Sequence, residues 1–80
     1  MDREYKTLTA LRNNEIVNLD GLRFRIAKGE IKVGDLYIAE RNTGPKLLTA
    51  KFINIESGWI GATTHDYPFN IDECVKVEEV

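Results

Sequence analysis

The pair Asp20-Gly21 constrains this chain more than any other two residues. It stands between two runs in which apolar and polar residues alternate. Asp-Gly is favoured where a two-residue turn needs positive φ at both central positions. Pairing outward from that turn sets Leu19 opposite Leu22, Val17 opposite Phe24 and Glu15 opposite Ile26. Cross-strand partners share a face, so Val17, Leu19, Leu22, Phe24 and Ile26 form one apolar surface. Ile16, Asn18, Arg23 and Arg25 fall on the other. The sequence therefore predicts an antiparallel hairpin over residues 15–26.

Strand-length runs between turn signals continue downstream. Lys28-Gly29-Glu30 turns the chain, Val33-Gly34-Asp35 opens a strand over 36–41, and Asn42-Thr43-Gly44-Pro45 is a dense turn cluster. A long strand is expected over 46–55, a turn at Glu56-Ser57-Gly58 and a strand over 59–62. Next come an irregular, ring-rich loop over 65–70, one tight helical turn at Ile71-Asp72-Glu73 and a last strand over 74–80. Residues 2–13 suit two readings. Asp2 could cap a helix whose Tyr5, Leu8 and Leu11 share a face at three-residue spacing, while a strand would align Tyr5, Thr7, Thr9 and Leu11. We expect the helix. The fold class is mostly β: a small five- to six-stranded barrel or bent antiparallel sheet with a short N-terminal helix, as one domain over residues 1–80.

Eighty residues hide a thin core, and a stability of about 5 kcal/mol is expected. Cys74 is the single cysteine, so no disulfide forms within the chain. His65 and Cys74 together fall short of the four ligands of structural zinc. Covering spare apolar surface by association remains, and a homo-oligomer is expected. The opening Met1-Asp2-Arg3-Glu4 has no apolar stretch of a secretory signal, and no run approaches the ~20 apolar residues of a membrane span. With a lone thiol, these features point to the cytoplasm and away from membranes. Net charge is −2, which disfavours the broad cationic face needed to coat nucleic acid. The charge is uneven: residues 1–32 carry seven Lys/Arg against five Asp/Glu, and residues 33–80 four against eight.

Over residues 31–80, the order of a Gly-Asp strand start, a later tryptophan and a short turn into a final strand resembles the SH3-like barrels. The aromatic groove motif of peptide-binding SH3 domains is not recognisable, so proline-rich peptide binding is not implied. Three segments are similar to parts of small uncharacterised proteins carried by bacteriophages and prophages: residues 34–45, Tyr67-Pro68-Phe69-Asn70 and Glu73-Cys74-Val75-Lys76-Val77. That resemblance implies a host-interaction or anti-defence role, and no catalytic residue comes with it.

Catalysis would need a nucleophile, a base and an orienting group in one cleft. The candidates are Cys74, His65 and Asp66 or Asp72, without any motif spacing; we expect no enzyme and no cofactor. Gly58-Trp59-Ile60-Gly61 lacks the lysine and helix start of a phosphate loop. Two regions stand out for binding. In Arg41-Asn42-Thr43-Gly44-Pro45-Lys46, two cations flank a turn whose amides and short polar side chains suit an anion, with Tyr37 on the adjoining strand. In the second, His65, Tyr67 and Phe69, with Trp59, could anchor an interface, although a small core also needs its rings. The expected partner is a host protein or an anionic, nucleotide-like small molecule. The alternative is a nucleic-acid-binding barrel using Arg23, Arg25, Arg41 and Lys46 around Tyr37 or Trp59.

Overall fold

At the turn, Asp20 has φ 54° and Gly21 φ 78°, the two positive values that a type I′ hairpin demands. The computed structural model describes residues 5–41, 44–62 and 68–80. Strands β1 (Val17–Leu19) and β2 (Leu22–Ile26) pair antiparallel in the predicted register, with Val17 opposite Phe24 and Leu19 opposite Leu22. Two details differ from expectation. Glu15 lies outside β1 because its amide donates to the Ala10 carbonyl at 2.9 Å as the chain leaves the helix. Leu22, beside the turn, stays 41% exposed while Val17, Leu19, Phe24 and Ile26 pack into the core.

Replacing Gly21 with valine forces a branched side chain into the left-handed region at a cost of about 1–2 kcal/mol. A urea melt should show the midpoint falling with an unchanged slope. An unchanged midpoint would mean that the turn relaxes into another geometry.

Helix α1 (Lys6–Arg12) buries Leu8 and Leu11 completely, with Tyr5 packed beside them. Asn14 comes after it at φ 63°, a left-handed position that asparagine tolerates after a helix. Asp2, the expected cap, lies outside the described residues. Strand β3 (Leu36–Arg41) pairs with β4 (Gly44–Thr49) on one edge and with β8 (Cys74–Glu79) on the other. β8 also pairs with β2. The strand order β1-β2-β8-β3-β4 makes a curled antiparallel sheet that forms a half-barrel.

The strand expected over 46–55 is two strands. At Ala50 the chain changes partners: the Ala50 amide donates to Asp35 at 2.9 Å, and the next amide, Lys51, donates to Gly61 at 2.8 Å. From there the chain enters a second sheet of three strands, β5 (Phe52–Asn54), β6 (Trp59–Gly61) and β7 (Phe69–Asn70), in that order. Phe69-Asn70, expected in an irregular loop, is thus paired with Trp59-Ile60. The predicted tight turn is present as a 3-10 turn, Ile71–Glu73, closed by a reciprocal Asn70–Glu73 capping box.

Alternation along β3 explains the layering. Leu36 and Ile38 face α1 in a core with Leu8, Leu11, Phe24, Val75 and Val77. Tyr37 and Ala39 face the opposite way, into a second core with Ala50, Ile60, Phe69 and Cys74. The large sheet is covered on one face by the helix and on the other by the small sheet. Strands buried on both faces lose the apolar-polar rhythm of a half-exposed sheet, and residues 37–40 are all buried.

Candidate binding groove

The small sheet covers only part of the second face of the large one. Beside β8 it leaves an open groove of about 650 Å³. Ile31 and Val33, from the β2–β3 connection, and Ile53 and Ile55, from β5 and its turn, line it. Ile71 sits at one side, and Cys74 and Val75 of β8 also line the space. Two of these lining residues are open to solvent: Val33 is 64% and Ile55 84% exposed. A volume of several hundred Å³ with apolar walls and a few polar groups is the usual form of a ligand site.

The rim is cationic. Arg12, Lys32 and Lys76 line it, and Glu30 is the one carboxylate among the described lining residues. Two of the cations are held in place. Arg12 donates to the Asp72 carbonyl at 2.8 Å, and Lys76 lies 3.3 Å from Asp35. The Lys32 amide, donating to Asp35 at 2.8 Å, does most to hold the Asp35 carboxyl below its ordinary range; desolvation opposes it, and the Lys76 ammonium adds to the lowering.

The residues singled out from the sequence are distributed elsewhere. Tyr37 is completely buried in the second core. Arg41 uses its planar fork within the chain. It donates to the Pro68 carbonyl at 2.7 Å, lies 3.5 Å from the Glu73 carboxylate, and stacks 4.3 Å above the buried Phe69 ring. This joins the end of β3 to β7 and the 3-10 turn, so the two expected binding segments are neighbours bridged by an internal contact. Lys46 is exposed on β4, opposite Ala39. Trp59, 38% exposed, lies on the outer face of the small sheet, paired with Asn54 and Asn70. On that same face the Phe52 ring covers Gly61, occupying the space of a Cβ. Asn42, Thr43, His65 and Tyr67 lie outside the described residues.

Comparison with protein-family models, curated proteins and solved structures finds no match to this chain. Its function has to be read from its own residues.

Sequence reasoning missed the groove because its walls come from three separate segments. One local signal was available. Ile31, Val33, Ile55 and Ile71 stand in connections and turns, where polar residues would serve as well, and exposed apolar residues gathered in one place mark interaction sites. The basic patch at Arg23 and Arg25 is partly neutralised, since Arg25 donates to the Glu78 carboxylate at 2.7 and 2.9 Å across the β2–β8 pair. Among the described residues, no three His, Cys, Asp or Glu side chains form a group that could hold a metal ion. No described helix is long and apolar enough to cross a membrane.

Proposed function

We propose that this is a small non-catalytic binding protein that acts by occupying a partner protein, in the host-interaction or anti-defence role implied by its resemblance to phage-carried proteins. The observation that carries the reading is the groove beside β8, apolar in its walls and cationic at its rim, with exposed apolar lips. Lips of this kind are costly to leave in water and are useful only when covered. Two of the cations that a nucleic-acid barrel would employ, Arg25 and Arg41, are paired internally with Glu78 and Glu73, which favours a protein partner over a nucleic-acid strand.

The experiment is affinity capture from a bacterial lysate with wild-type and Ile55→Asp baits. Ile55 projects from a turn and is mostly exposed, so the change should leave the fold intact, as circular dichroism can verify. A specific partner should be retained by the wild type and lost from the variant, a weakening of at least ~2 kcal/mol if Ile55 is an interface anchor. Equal retention by both would remove the groove from the function. Retention of nucleic acid alone, lost steeply with added salt, would favour the barrel reading instead.

A further inference from the structure

We infer that the groove beside β8 receives a segment of a partner protein in which apolar and acidic side chains alternate or neighbour one another. The inference rests on the binding function just proposed and names the chemistry of the partner.

Three features point the same way. The first is charge. The chain carries a net −2, yet among the described residues the groove is bordered by Arg12, Lys32 and Lys76, the last paired with Asp35, and by one lining carboxylate, Glu30. A cationic rim on an acidic protein steers carboxylates to this place and repels basic segments. The second is the lining, where Ile31, Ile53 and Ile71 offer no hydrogen bond to a polar ligand and favour aliphatic or aromatic side chains. The third is the exposure of Val33 and Ile55 at the lips. Both residues line the groove and are still mostly exposed, so a small amphiphile confined to it covers them in part. A polypeptide crossing the groove covers them more fully and sets its carboxylates against Arg12 and Lys32, Lys76 being paired with Asp35. Arg12 is already oriented by its bond to the Asp72 backbone carbonyl, which reduces the ordering cost of meeting an anion.

The test uses fluorescence polarisation with three labelled peptides and the full chain: alternating Leu-Glu, alternating Leu-Lys and alternating Ser-Glu. The Leu-Glu peptide should bind at least about tenfold more tightly than either of the others. Lys32→Glu should weaken it by about five- to tenfold and reduce its salt dependence, since rim charges act mainly through steering. Ile55→Asp should abolish it. Laurate, an anionic amphiphile without a backbone, should compete weakly. Equal binding of the Leu-Lys peptide, or insensitivity to Lys32→Glu, would overturn the charge argument. Laurate binding with no peptide binding would assign the groove to a small amphiphile and overturn the inference. Capture of a partner that is lost in Ile55→Asp, with no binding of the Leu-Glu peptide, would also overturn it while leaving the broader function standing. Failure of both experiments would remove the two together.

Discussion

Replacing Glu40 with alanine should cost about 2–3 kcal/mol, roughly half the stability of a domain this size. Glu40 is a charged residue only 6% exposed, and it serves as a helix cap supplied from a strand. Its carboxylate accepts the Thr7 amide at 3.1 and 3.3 Å and the Leu8 amide at 3.2 Å. Tyr5, at the cap position, contributes no side-chain bond. A helix of seven residues is too short to persist alone, so α1 depends on this contact and on Leu8 and Leu11. Removing the carboxylate leaves two helix-start amides without their acceptors, next to the core. Urea unfolding should show the loss. Amide exchange should show Thr9 to Arg12 opening before the sheet does. Glu40→Gln keeps one acceptor oxygen and should lose about half as much. A cost below ~0.5 kcal/mol for the alanine variant would mean that water takes over the cap.

The second large effect concerns reactivity. Burial, and after it the neighbouring Glu73 carboxylate, push the Cys74 thiol up to about 12, with Arg41 and Arg12 opposing more weakly. The thiolate is the nucleophile, so a rise of about three pH units makes it scarcer by about a thousandfold at a given pH. Iodoacetamide at pH 8 should therefore alkylate the folded protein at least about a thousandfold more slowly than the urea-unfolded chain. Comparable rates would show that Cys74 is reached from the groove it lines. The same shift makes stability depend on pH. Below roughly pH 8.5 both states hold the proton. Between there and about 12 the unfolded chain releases it and the folded one does not, so stability falls as pH rises through that window. Cys74→Ala should remove this part of the alkaline loss.

The hairpin was legible because its information is local: a turn pair with one permitted backbone geometry, flanked by a rhythm of two. The helix was half legible: Tyr5, Leu8 and Leu11 fit its spacing, but Tyr5, Thr7, Thr9 and Leu11 fit a strand as well. The break at Ala50-Lys51 was not, since the alternation runs through it and the cause is a change of hydrogen-bond partners at Asp35 and Gly61. No local pattern marks Glu40 as a helix cap or ties Arg41 to β7. Their partners lie 33 residues upstream at Thr7 and 27 downstream at Pro68, beyond any local pattern. Arg41 was expected to meet a ligand anion, and in the structure it bonds to the Pro68 carbonyl and the Glu73 carboxylate of its own chain. The groove was the least legible feature, being a space between segments that the sequence keeps apart.

The placement of β8 bears on the order in which the molecule can be made. β2 and β3 each bond to β8, which lies between them in the sheet, and Phe24 meets Glu79 from the far end of the chain. As the chain leaves the ribosome, the β1–β2 and β3–β4 hairpins can each close soon after synthesis and can share α1, but no strand bonds one to the other until residues 74–79 emerge. Until then two narrow ribbons wait with open edges, the state in which β proteins are most exposed to mispairing. Insertion of β8 is therefore a late, long-range step, and it completes the large sheet and brings Cys74, Val75 and Lys76 to the groove at the same moment.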